Sequence, residues 1–201
     1  MKRTTIAALL ILMTAGVAAA QVEFGLRGGQ LSLFDETIRE VYGNGLIFVP
    51  FLRITSSKTP VAVEFSYEGG YNQSAPIGLY DEVSTLKLYG LEVSAYVWHR
   101  FGFAAPYLKL GLSYYFYRQD IDSEYVDKKV QGSEQRLLLA AGLDIDLPKG
   151  LYLTGEVKLV PWLVAPYGID IELGGMRYMV GIGYRFQIRS KKNVKDVEQK
   201  P

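Results

Sequence analysis

The groups able to do chemistry in this sequence are few, and most are carboxylates. Glu64 and Glu68 stand close together, as do Asp144 and Asp146. Each pair lies in a segment of alternating polarity. In an extended chain successive side chains point to opposite faces, so each pair shares one face. Two carboxylates side by side can hold a cation or divide acid–base work between them. The competing reading is an ion-pair network with Arg27, Arg53, Arg136 and Arg177. Asp120, Asp122, Glu124 and Asp127 form a third acidic group with D-x-D-x-E spacing. It lacks the sixth-position glycine and twelfth-position glutamate of a calcium loop, and Lys128 and Lys129 follow at once, which reads as a solvated loop. His99 is the one histidine and there is no cysteine. No zinc ligand set, thiol nucleophile, Ser-His-Asp arrangement or glycine-rich phosphate loop can be assembled from these residues. The expectation is a protein with no metal, no cofactor and no enzymatic activity.

Alternation is what places these charges. Eight segments read as strands, near 22–30, 45–54, 60–69, 84–98, 103–118, 132–147, 150–160 and 171–187. Each has an apolar phase, such as Val22, Phe24 and Leu26, or Tyr89, Leu91, Val93, Ala95 and Val97, or Leu108, Leu110 and Leu112. The opposite phase carries Gly, Ser, Ala and Tyr with widely spaced charges. Those charges are Glu23, Glu64, Glu68, Glu92, Asp144, Asp146 and Glu156 against Arg27, Arg53, Lys109, Arg136, Lys158, Arg177 and Arg185. A water-facing sheet would carry more Lys, Glu and Thr. Small residues mixed with bulky ones suit the cramped interior of an eight-stranded barrel, and charges enclosed there need compensation. In the last segment Ile171 and Leu173 are out of phase with Tyr178, and Gly174-Gly175 could hold a bulge that resets them.

The connections discriminate further. Those near Ser56–Thr59, His99–Gly102 and Pro148–Gly150 are short. Those at 31–44, 70–83, 119–131 and 161–170 are long. Short turns that interleave with long loops mark an up-and-down barrel spanning a membrane rather than a Greek-key sandwich. Within the first long loop, residues 34–42 can form a short helix capped by Asp35 and stopped by Gly43. Tyr80, Tyr89, Phe101, Phe103, Tyr114, Phe116, Tyr167, Tyr184 and Phe186 fall near strand ends, where interfacial girdles form. Residues 1–20, with Lys2 and Arg3, an apolar stretch and Ala18-Ala19-Ala20, read as a secretory signal peptide. Residues 21–187 form the barrel, and the charged 188–201 reads as a disordered periplasmic tail. Without Lys2 and Arg3 the chain is nearly neutral, so no basic field draws it to nucleic acid.

The pattern as a whole resembles the small eight-stranded outer-membrane barrels, the OmpA/OmpX-like or porin-family group. The resemblance covers residues 22–187 and is carried above all by the last strand. There Tyr178, Val180, Ile182, Tyr184 and Phe186 match the terminal assembly signal that the barrel-insertion machinery reads in that group. In this chain fifteen residues follow that aromatic. The resemblance implies a closed all-β transmembrane barrel in the bacterial outer membrane, in contact with outer-membrane lipid and lipopolysaccharide. It implies a side-chain-filled lumen and a structural or surface-interaction role through the external loops. Two other roles stay open: a barrel or narrow channel that binds or passes a small apolar ligand, hinted at by inward-phase Ile47, Val49, Phe51 and Leu138, and a lipid-modifying enzyme. The enzyme would need its histidine beside a serine near the outer rim, whereas His99 belongs to a periplasmic turn.

Overall fold

The computed structural model describes residues 20–56, 59–78, 81–123, 129–165 and 170–187. In chain order the elements are β1 (Ala20–Leu33), α1 (Glu36–Tyr42), β2 (Gly45–Ser56), β3 (Val61–Ile77), β4 (Glu82–Trp98), β5 (Ala104–Ile121), β6 (Lys129–Asp146), β7 (Leu151–Val160), β8 (Leu163–Val164), β9 (Ile171–Glu172) and β10 (Gly175–Gln187). Strands β1 to β7 and β10 each pair antiparallel with their neighbours, and β1 pairs with β10, so an eight-stranded up-and-down barrel closes. The closing seam runs from Gln21↔Gln187 to Leu33↔Gly175. The expected signal peptide, apart from Ala20 at the start of β1, and the expected tail lie outside the described residues.

The faces of this barrel are inverted relative to a water-soluble sheet. Outward-pointing Leu91, Leu110, Leu137 and Val180 are 57, 59, 61 and 73% exposed, while Arg27, Glu64, Lys158 and Arg177 are fully buried inside. A belt of bare aliphatic side chains around the whole wall is far larger than any patch a soluble monomer tolerates. Aromatic clusters edge the belt. Phe24, Tyr184 and Phe186 meet near the start of β1 and the end of β10. Phe48 packs on Tyr67, and Tyr89 stacks on Phe116, toward the other end. From Phe103, just before β5, to Tyr114 the path corresponds to roughly 28 Å of height at 3.3 Å per residue and a tilt near 40°, enough for the hydrocarbon layer. Tyr80 and Tyr167 lie outside the described residues.

The two ends differ. The short turns gather at the end that holds the start of β1 and the end of β10, the end expected to face the periplasm. One is the Pro148–Gly150 turn, in which Lys149 and Gly150 both take positive φ. At the other end the wall is uneven. β3 and β4 stay paired up to Ile77↔Glu82, and β5 and β6 up to Asp120↔Lys129. Within segments 70–83 and 119–131, expected as loops, residues 70–77, 82–83, 119–121 and 129–131 are therefore strand. Above the bilayer both faces of a strand meet water or loops, so the apolar phase fades and the segment looks like a loop in sequence. On the low side α1 follows β1, with Asp35 capping the Ile38 amide and Gly43 ending the helix at φ 74.

The phase-resetting bulge lies elsewhere than expected. β10 begins at Gly175 with no bulge, and Ile171–Glu172 pairs instead with Leu163–Val164 in a separate ladder. The register shift is in β3, between Glu68 and Tyr71, where Gly70 sits at φ 100. It lets both Glu68 and Tyr71 face the lumen.

Candidate functional site

The lumen is built in layers, each drawn from several strands. Nearest the periplasm, Arg185 of β10 bonds Glu23 of β1 at 2.8 Å and Asp146 of β6 at 2.7 Å, and Arg100 from the β4–β5 turn reaches Asp146 at 3.3 Å. One layer up, Arg53 spends its guanidinium on three carboxylates: Glu23 at 3.0 Å, Asp144 at 2.8 Å and Glu64 at 3.0 Å. Its plane lies 3.8 Å from the Tyr96 ring centre, and the Tyr96 hydroxyl donates to Asp144 at 2.7 Å. Glu64 is the hub of the middle layer. It accepts a two-pronged bond from Arg27 at 2.9 and 2.7 Å and a third from Lys109 at 3.0 Å, and Lys109 continues to Glu156 at 2.7 Å. Above it, Lys158 bridges Glu68 and Glu92 at 2.5 Å each, and Arg177 reaches Glu68 at 3.2 Å. The Tyr115 hydroxyl lies 2.6 Å from Glu92 and closes this layer.

Pairing on this scale suits the site. A buried charge without a partner costs several kcal/mol, about 3–5 when one partner of a pair is removed. The tyrosines fit because glycines face them: a Cβ on Gly90, Gly142 or Gly183 would run into the rings of Tyr115, Tyr107 and Tyr152. Small-beside-large packing of this kind suits the narrow interior of an eight-stranded barrel. A cavity of about 30 Å³ lined by Glu23, Arg53, Tyr96, Asp144 and Arg185 opens at the periplasmic mouth. That is room for about one or two waters.

Higher still the lumen turns apolar. Leu31, Ile47, Val49, Leu138, Val160 and Met179 project inward and pack with Trp162, Val164 and Leu173, which come from the connection between β7 and β10. α1 sits on top, its Tyr42 hydroxyl 2.6 Å from Ser84 and 2.9 Å from the Gln119 amide.

A closed antiparallel barrel, charged within and apolar without, is the transmembrane kind. The chain has the fold of the small bacterial outer-membrane barrels. The structure resembles neisserial surface protein A (TM-score 0.55, 14% identity, 83% of this chain and 97% of that one). It also resembles the attachment invasion locus protein Ail of Yersinia pestis (TM-score 0.52, 15% identity, 84% and 98%), and the outer membrane protein AlkL (TM-score 0.52, 14% identity, 87% and 92%). Comparison by sequence finds no matching family model and no matching curated relative.

Within this outer-membrane barrel the paired carboxylates of the sequence are separated by cations. Glu64 is held by Arg27, Arg53 and Lys109, and Glu68 by Lys158 and Arg177. Asp144 goes to Arg53 and Asp146 to Arg185 and Arg100. Among the described residues no cluster of His, Asp and Glu is arranged for a metal ion. Of the fourteen charges with inward phase, Arg136 does not join the network. It stands above the ionic layers, where it bonds Glu134 on its own strand and the Leu163 carbonyl. Arg100, which alternation left unassigned because it sits in a turn, takes up Asp146 in addition to Arg185. Ile47, Val49 and Leu138 do face the lumen, but they are packed, and Phe51 lies under the Arg27 guanidinium at 4.0 Å. His99 is exposed in its turn, with its ring against Phe101. Tyr178, Val180, Ile182, Tyr184 and Phe186 all lie on the outward phase of β10, four of them about half exposed or more. In the acidic group Asp120 is engaged by Arg118 at 2.8 Å and Lys87 at 3.7 Å, while Glu124 and Asp127 lie outside the described residues. Trp162 had no signal in strand periodicity, because it belongs to a connection.

Proposed function

We propose that this protein is a closed, non-enzymatic outer-membrane barrel whose role is to present a rigid sheet outside the cell for contact with an extracellular partner. The observation that carries the reading is the uneven outer rim. β6 pairs with β7 only from Leu139 inward, and β3 pairs with β2 only up to Gly69. The stretches Lys129–Leu138 and Gly70–Ile77 therefore have no strand partner on their outer side and form the two edges of a four-stranded sheet, β3-β4-β5-β6. Unpaired strand edges offer a row of backbone donors and acceptors to another chain. The two edges are not equal. Pro76 removes a donor from the β3 edge, and Tyr71 of β3 is tied to the Gly43 carbonyl beside α1. The β6 edge is met at its base by the Leu163 segment and carries no proline. The filled lumen supports a role that does not involve passage, and the exposed, unaided His99 supports a role without lipid chemistry. In this reading lipid and lipopolysaccharide cover the apolar belt, and the assembly machinery reads the outward face of β10.

The test compares the full-length barrel in nanodiscs with a variant in which both tall hairpins are cut to the height of the low side. Each is presented to arrays of extracellular proteins and glycans. Sucrose octasulfate, a heparin analogue that Ail was crystallised with, is included as one arm. Binding lost in the shortened but heat-modifiable, folded barrel is the expected result. Binding that survives the cut, or channel currents from the intact protein in planar bilayers, would remove this reading.

A further inference from the structure

Trp162 stands where the two fillings of the lumen meet. It is fully buried although it lies past the end of β7, immediately after Pro161. Its indole stacks on Tyr115 with ring centres 5.2 Å apart at 27°, and Tyr117 meets it edge-on at 6.1 Å. Tyr115 in turn bonds Glu92, so the ring pair stands directly over the Glu68–Glu92–Lys158–Arg177 layer. Among the described residues, the indole Nε1 and Nη2 of Arg177 at this junction have no hydrogen-bond partner. The seat of the indole is built for it. The Gly174 amide donates to the Trp162 carbonyl at 3.0 Å, and the Gly174 carbonyl accepts from Phe34 at 3.0 Å. A Cβ at Gly174 would collide with the Trp162 backbone. Arg136 grips the neighbouring Leu163 carbonyl.

We propose that Trp162 is the outer seal of the lumen, an apolar ring that separates the ionic layers from the water outside the cell. Arg136 is a positioning residue for it. This goes beyond the surface-display reading and does not depend on it: a sheet can be displayed on a barrel sealed by its charges alone.

Lysine labelling in nanodiscs tests the seal. A small water-soluble amine reagent is applied to the full chain, and each lysine is followed by peptide mass spectrometry. In the wild type Lys149, exposed in its turn, reacts, while Lys158 and Lys109 stay protected. In Trp162→Ala, Lys158 labelling rises about tenfold or more, equivalent to easing local opening by ~1.4 kcal/mol. Lys109, one layer deeper, stays protected, and Trp162→Phe keeps Lys158 protected. Lys158 that remains unlabelled in a folded Trp162→Ala barrel overturns the proposal. So does a rise at Lys109 equal to that at Lys158, which would mean general loosening. Trp162→Leu covers the case in which alanine prevents folding: partial labelling of Lys158 is expected, and none overturns the proposal.

Discussion

Below Tyr115 the lumen is filled by charges that hold one another; above it, by Leu31, Ile47, Val49, Leu138 and Met179 around an indole. Both fillings exclude bulk water, yet they respond differently to damage. An ionic layer has directional partners, and a lost member strands the others. An apolar layer has none, and neighbours can move into the gap. The lower half therefore demands exact composition, and the upper half demands volume.

Glu64→Ala is the sharpest way to break the lower half. It leaves Arg27, Arg53 and Lys109 without their shared acceptor. The expected loss is ~3–5 kcal/mol, the cost of an uncompensated buried charge. It would be read as a lower denaturant midpoint in detergent micelles and as loss of heat-modifiable migration. If Glu64→Ala unfolds at the wild-type midpoint, the network contributes nothing that water cannot replace.

Leu138→Ala is the matching lesion above. Its side chain is fully buried among the apolar filling. Truncation removes transfer energy and leaves a cavity, ~2–5 kcal/mol in general. The figure should fall toward the lower end here, because Met179 in the same cluster is flexible enough to fill part of the space. Measured side by side, Glu64→Ala should exceed Leu138→Ala; the reverse order would undo the contrast between the halves.

Tyr115→Phe probes the border. It keeps the ring under Trp162 and removes only the hydroxyl beside Glu92. About 1–2 kcal/mol of stability should go, since a charged acceptor loses a donor but Lys158 still holds it. Trp162 emission should stay unchanged. A red shift would show that the two halves are coupled through the hydroxyl rather than through ring stacking.

The lower half was legible in the sequence, and of the upper half only Ile47, Val49 and Leu138 were, for a physical reason. Inside the bilayer every strand is apolar outward, so the period of two assigns Glu23, Arg53, Glu64, Lys109, Glu156 and Lys158 to one face without further information. Above the bilayer that outward marker disappears. Residues 71–77 and 129–131 then look like loop although they are paired strand, and Arg136, in phase with the network, is too high to join it. The Gly69-Gly70 bulge is a sequence signal, but Gly174-Gly175 carries the same one without a bulge. Trp162 enters the lumen from a connection, where no period applies.

Arg136 turns that blind spot into the finest test of the comparison. In the network it would have been a buried cation, and its loss would cost several kcal/mol. At its observed place it is partly exposed, bonded to Glu134 and to one backbone carbonyl. Exposed ion pairs contribute ~0–1 kcal/mol, so Arg136→Ala should leave the denaturant midpoint nearly unmoved. Its effect should instead be local. In a Trp98→Phe background, which makes Trp162 the sole emitter, acrylamide should quench the indole more readily once its neighbouring carbonyl is released. A large global loss without added quenching would return Arg136 to the ionic half.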